Sequence, residues 1–423
     1  MPERDKLGLN ATWSMAVGGM VGGGIFSTLG VVIGIAGAWA WLSFLVAGLI
    51  ALAAGYSYVE LTAHYGKGGG AFTFLREIGA KQSAGSLAWV LIVGYVLTNA
   101  VYAFTFGQYL GYVVGLGPWF ARAAAVAVMA LFIGLNLRSV GEAGGVESFL
   151  VWFNLAVLVG LAGFGLAEWN PEMLSRGAPD SGIGIAFFGA AAVFMAYEGF
   201  QLLAYDHDDI ENPSKNLPRA VMSAILVVIV VYVAIALGTP MLIGADGVIA
   251  HKEVALALAG QQAFGTIGLV VVTIAAAFST GSAINSTLFA TARLSYDVAR
   301  KGELPAALGH KNKRGIPNRA VIALGAAAAV FAAVGTLSGL VEAASLAFLC
   351  TFSVVCGLAF HARVGLRAIT GFGAITAAGS ACALIERLWR TDFLALGLFA
   401  ALLLLAIFGR PLLMRKVRTS KDE

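Results

Sequence analysis

The chain has 423 residues, of which 59% are hydrophobic and 12% charged, with a mean hydropathy of +0.85 and a formal net charge of +4. So little charge excludes a soluble protein of this size, which needs a far more charged surface. The small positive excess calls for no nucleic-acid partner, because membrane proteins keep surplus Lys and Arg in their cytoplasmic loops.

At about 20 residues per span, twelve helices are expected, over 11–36, 38–63, 83–114, 119–137, 147–168, 182–205, 217–243, 264–299, 318–336, 338–361, 366–385 and 392–409. The first apolar segment has no small-residue cleavage site and reads as a retained helix. The longest gaps, 206–216, 244–263 and 300–317, leave no room for a soluble domain, so 1–423 reads as one transmembrane unit. Cys350, Cys356 and Cys382 lie in apolar segments and read as small core residues, not a disulfide frame. An even helix count places both termini on one side. Of the 27 Lys and Arg, 21 fall on that side and five on the other, with Arg293 inside a helix. The positive-inside rule then makes both termini cytoplasmic in a multi-pass protein of the cell membrane.

Two of these spans are interrupted by glycine at corresponding places. The first reads Ala16-Val17-Gly18-Gly19-Met20-Val21-Gly22-Gly23-Gly24-Ile25-Phe26, and the sixth reads Phe194-Met195-Ala196-Tyr197-Glu198-Gly199-Phe200. Within a bilayer, unpaired backbone is tolerated only where it lines a cavity or is covered by protein. Interrupted spans in corresponding halves point to the binding site of a secondary transporter. Residues 11–168 and 182–361 form two sets of five helices, the second inverted, with 366–409 as two additional helices. Close helix packing is the competing use of such glycines. Gly18, Gly22 and Gly48 would each serve it alone, but five glycines within 18–24, echoed by Tyr197-Glu198-Gly199, point to a site.

These segments resemble a known family. Gly22-Gly23-Gly24-Ile25-Phe26 is similar to the G-S-G-I-F of helix 1 in the amino acid–polyamine–organocation (APC) transporters, and Ala196-Tyr197-Glu198-Gly199-Phe200 to their helix 6 break. Asp209-Ile210-Glu211-Asn212-Pro213-Ser214-Lys215-Asn216-Leu217-Pro218-Arg219-Ala220 resembles the E-x-x-x-N-P-x-(K/R)-x-x-P-x-A connection into helix 7. Ala292-Arg293-Leu294-Ser295-Tyr296 with Gly302-Glu303-Leu304-Pro305 resembles the end of helix 8, and Tyr65 with Gly69-Gly70-Ala71-Phe72 the segment after helix 2, without its usual proline. The resemblance implies an all-α permease for amino acids, with a 5+5 inverted repeat and broken helices 1 and 6. Helices 1, 2, 6 and 7 would rock against 3, 4, 8 and 9.

The chemistry of the breaks agrees with that implication. A half-helix amino end presents unpaired N–H groups and a positive dipole end, and Gly22, Gly23 and Gly24 let a carboxylate approach, flanked by Val21 and Ile25. Carbonyls freed near Ala196, Tyr197 and Gly199 accept from an ammonium. Phe26, Tyr197 and Phe200 are candidate walls or gates, with core aromatics as the alternative. A mid-span carboxylate costs roughly 2.5–3.5 kcal/mol on insertion scales, so Glu198 is the sharpest residue. Three readings stand open: a partner for a cationic substrate side chain, the site of a driving proton, and a structural acid bridging the break. The resemblance favours the first, since some members that accept cationic amino acids carry an acid there.

For a coupling ion, the resemblance implies a second site between the helix 1 break and helices 5 and 8. Ser279, Thr280 and Ser282 on helix 8 are candidate sodium ligands, although such hydroxyls often bond to their own helix. Many relatives carry a lysine on helix 5 where this chain has Asn154, so proton coupling, sodium coupling and exchange all remain open, and no other cofactor is expected. The acidic run Asp206-His207-Asp208-Asp209-Ile210-Glu211 is a solvated loop or an inner gate with Arg293 or Lys215. The five histidines have no ligand spacing, and no nucleophile–base constellation marks an enzyme. A polyamine or other amine exchanger, and a transport-dead sensor or scaffold, are the alternatives. No cysteine lies between helices 3 and 4, so no disulfide-linked accessory chain is expected.

Overall fold

The computed structural model describes residues 6–138, 144–205 and 207–391, together with 396, 397 and 400. Long apolar runs leave backbone polar groups no partner in a bilayer except one another, and helices satisfy them within the segment. The elements are α1 (Leu9–Val21), α2 (Gly24–Ala36), α3 (Ala40–Tyr65), α4 (Gly70–Glu77), α5 (Lys81–Val114), α6 (Pro118–Arg138) and α7 (Gly144–Ala167). They continue with α8 (Ile185–Ala192), α9 (Pro213–Ala250), α10 (Ala255–Arg300), α11 (Asn318–Val334), α12 (Leu337–Ala362) and α13 (Arg367–Thr391). Among the described residues there is no β-strand, only an isolated bridge between Leu7 and Ile210, and eight helical stretches are long and apolar enough to cross a membrane.

Trp119, Ile267, Val334 and Ile375 are exposed on the bundle's outside. That surface suits acyl chains, not water. Inside, α5 packs against α6, α10 and α12, α3 against α9, and α12 against α13. The centre is filled by α1, α2 and the segment from α8 to Ala204.

The sixth span is interrupted as expected: α8 stops at Ala192, and short 3-10 turns over Phe194–Tyr197 and Phe200–Ala204 flank the break. Two other boundaries depart from the expected ones. The gap expected over 244–263 is largely helical. α9 turns at Gly244 (φ 71°) and runs on to Ala250, while α10 starts at Ala255 and turns at Gly265 (φ 62°). Both turns need the left-handed region that glycine enters freely, and apolar Ala255, Leu256, Ala257 and Ala259 bury the short stretch between them. Finally, the short helix α4 begins at Gly70, and the positive φ angles of Gly69 (113°) and Gly70 (57°) turn the chain after α3. The twelfth expected span lies outside the described residues save for three positions. Of the cysteines, Cys356 is buried, Cys350 half-buried and Cys382 exposed, so the core reading fits only the first.

Candidate substrate site

The first break falls where the sequence places it. α1 ends at Val21, Gly22 and Gly23 interrupt the helix, and α2 begins at Gly24 with no side chain capping its amino end. In the second break Glu198 is extended (φ −70°, ψ 146°) and Gly199 takes φ 130°, a conformation closed to most side chains. The two breaks touch: a Cβ on Gly24 would lie 2.6 Å from the Ala196 carbonyl oxygen. A single hydroxyl links them, since Tyr232 Oη on α9 lies 2.7 Å from the Met20 carbonyl and 3.0 Å from that of Ala196.

Glu198 is 1% exposed. Its Oε2 accepts from the Tyr102 hydroxyl and its Oε1 from Gln201 Nε2, each at 3.2 Å. Gln201 also donates to Tyr95 Oη at 3.2 Å and accepts from the Gly199 amide at 2.9 Å. The carboxylate is thus held by neutral donors from α5 and from its own segment. Among the described residues no Lys, Arg or His pairs with it. Ser345 on α12 enters the helical ladder just above: its hydroxyl accepts from the Met195 amide at 3.0 Å and donates to the Ala192 carbonyl at 2.8 Å. A side chain inserted in the ladder is a standard cause of a helix kink.

The remaining sequence candidates divide. Val21, Gly22, Gly23, Gly24, Ile25, Ala196, Tyr197, Glu198 and Gly199 meet at the crossing of the breaks. The Gly199 carbonyl accepts from the Leu202 amide at 3.0 Å, and that of Ala196 faces Tyr232, so two of the three carbonyls expected to be free are engaged. Phe26, Tyr197 and Phe200 are all buried: Phe26 stands edge-on to Tyr109, Phe200 edge-on to Tyr58, and the Tyr197 hydroxyl donates to the Phe44 carbonyl at 2.7 Å.

On α10, the Ser279 hydroxyl donates to the Val21 carbonyl at 3.0 Å, whereas Thr280 bonds back to Ala276 of its own helix at 2.7 Å. Ser282 is half-buried, and its carbonyl accepts from Ser286. Asn154 is buried on α7, which packs against α1 and α10, and its Oδ1 has no hydrogen-bond partner among the described residues.

Beyond Leu202 and Tyr205 a cavity of about 510 Å³ opens, lined by Phe72, Asp208, Arg293 and Lys301 among others. Lys301 Nζ stands 5.0 Å over the Phe72 ring, and partial burial lowers its pKa. Asp208 and Arg293 of the expected gate face this cavity, while Asp206 lies outside the described residues.

Tyr102, Gln201, Tyr95, Tyr232 and Ser345 were not among the sequence candidates. One signal was available for the α5 residues. Tyr95, Asn99, Tyr102 and Tyr109 recur at helical spacing along one face of an otherwise apolar segment.

An apolar helical bundle with two interrupted helices crossing at its centre is the build of a membrane transporter. Residues 7–414 match the family described as amino acid permease, and the chain belongs to that family, within the APC superfamily. It is 33% identical over 306 residues to an uncharacterized protein of Methanocaldococcus jannaschii, covering 72% of this chain and 70% of that one. It is 33% identical over 310 residues to the inner membrane transport protein YbaT of Escherichia coli (71% and 70% covered) and 26% over 308 residues to the serine/threonine exchanger SteT of Bacillus subtilis (71% and 70%). The protein is a multi-pass amino acid permease and not an enzyme.

Proposed function

We propose that this permease carries amino acids by alternating access and prefers a cationic side chain. The substrate carboxylate takes the amino end of α2 at Gly22, Gly23 and Gly24, its ammonium the remaining lone pairs of the Ala196, Tyr197 and Gly199 carbonyls, and its side-chain cation Glu198. One observation carries the preference: among the described residues Glu198 is a buried carboxylate met by neutral donors only, and a positive group offsets the cost of placing it mid-membrane. The glycine-lined crossing of the breaks supports the rest, as does the name of SteT, which gives serine and threonine as what that relative exchanges. The cavity at Tyr205 is the cytoplasmic mouth, on the side holding 21 of the 27 Lys and Arg. In this reading twelve helices form two inverted repeats, 11–168 and 182–361, followed by two further helices.

Sodium coupling has one observation in its favour. Asn154 Oδ1 is buried on α7 and has no hydrogen-bond partner among the described residues, and α7 packs against α1 and α10, the helices that carry the Val21 carbonyl and the Ser279 hydroxyl bonded to it.

Uptake of radiolabelled lysine, alanine and putrescine by proteoliposomes under imposed proton or sodium gradients tests the proposal. Saturable lysine uptake above that of alanine is expected. Uptake of putrescine alone identifies an amine exchanger, and no uptake of any of them directs the test to other amines and then to the scaffold reading.

A further inference from the structure

Tyr102 touches both poles of the site. Its ring lies on the bare backbone of Gly23: a Cβ there would collide with the ring, whose Cγ would stand 3.0 Å from it. Its hydroxyl donates to Glu198 Oε2 at 3.2 Å. The side chain is fully buried and spans the distance from the amino end of α2 to the carboxylate. It comes from α5, whereas both poles belong to the interrupted helices.

We propose that Tyr102 is the occluding side chain of this permease, holding the space between Gly23 and Glu198 until an amino acid displaces it. The inference rests on the reading of Gly22–Gly24 and Glu198 as the substrate site. A carboxylate reaches Gly23 only when the ring leaves, and a cation reaches Glu198 Oε2 only when the hydroxyl lets go. Apparent affinity is therefore lowered by the fraction of molecules in which Tyr102 stays in place. Displacement also breaks one of the side-chain links between α5 and the two broken helices, leaving those of Tyr95 to Gln201 and of Thr105 to Ser27. Tyr102 thus opposes binding.

Two conservative variants test this in proteoliposomes, with KM and Vmax measured for lysine and for alanine. Tyr102→Phe keeps the ring and removes the bond to Glu198. Its KM is expected to fall by about threefold, the effect of an average interhelical hydrogen bond in a membrane protein, with Vmax retained. Tyr95→Phe removes a hydroxyl from the same helix that touches neither Gly23 nor Glu198, and its KM is not expected to fall. An unchanged or raised KM in Tyr102→Phe overturns the inference, as does an equal fall in both variants, which would mark general loosening. If wild type carries neither amino acid, the reading of the site falls and the inference with it. If only alanine is carried, the cationic preference falls and the Tyr102 comparison still decides.

Discussion

Gly199 and Gly19 cross backbone on backbone: a Cβ on Gly199 would stand 2.6 Å from the Gly19 Cα, and one on Gly19 would stand 2.8 Å from the Gly199 Cα. Gly199 also holds φ 130°, which costs a substituted residue about 1–3 kcal/mol before any collision. Gly199→Ala is expected to lower thermal stability in detergent clearly, or to abolish recovery of monodisperse protein. Gly163→Ala, on α7 with no atom of the described residues within 4 Å of the new methyl, is the control and should melt like wild type. Equal melting of the two variants would contradict the crossing.

Tyr232 predicts a different phenotype. Removing its hydroxyl leaves the Met20 and Ala196 carbonyls without the donor that links the breaks, at a cost of about 1–3 kcal/mol for buried groups. Tyr232→Phe is expected to fold, because the ring still packs on Phe44 at 5.4 Å and Tyr197 at 5.2 Å. Its transport KM should rise tenfold or more. A wild-type KM would show that the carbonyls do not depend on this hydroxyl.

Ser345 acts through the backbone of the second break. In Ser345→Ala the Met195 amide and Ala192 carbonyl lose their shared partner, and the ladder is free to re-form across residues 192–196. That re-formation turns the Ala196 and Tyr197 carbonyls back into the helix. Uptake is expected to lose about tenfold in Vmax/KM, with recovery in Ser345→Thr, which restores the hydroxyl. Equal loss in both variants would point to packing at α12 and away from the hydroxyl.

Asn154 and Ser279 separate the coupling modes. If sodium sits among their oxygens, Asn154→Ala and Ser279→Ala each abolish stimulation of uptake by a sodium gradient while leaving exchange of amino acid across the membrane intact. Sodium stimulation preserved in both variants removes this site from the coupling pathway.

Much of the fold was legible because it rests on length and apolarity. α5, α6, α11 and α12 begin and end within about two residues of the spans drawn from hydropathy alone. The breaks were legible because five glycines in seven residues are more than close helix packing needs. What the sequence hid depends on contacts between segments far apart in the chain. Tyr102 reaches Glu198 across 96 positions and Ser345 reaches Ala192 across 153. A lone serine between Ala344 and Leu346 carries no local mark of that role. Gly244 read as a loop residue and Gly265 as part of the span 264–299, yet both serve as corners joining short helices at the end of the bundle, a use that only their positive φ reveals.

The most direct test of the account compares uptake of radiolabelled lysine and alanine by wild type and Glu198→Gln. Glutamine keeps the size of the side chain and an oxygen to accept from Tyr102, so it removes charge while retaining packing. The account predicts that lysine uptake falls a hundredfold or so, in line with loss of a buried charge pair, while alanine uptake survives. Equal lysine uptake in wild type and variant, or loss of alanine along with lysine, would contradict the assignment of Glu198 to the substrate's cationic side chain. In the second case, exchange persisting without a gradient response would mark Glu198 as the proton site instead.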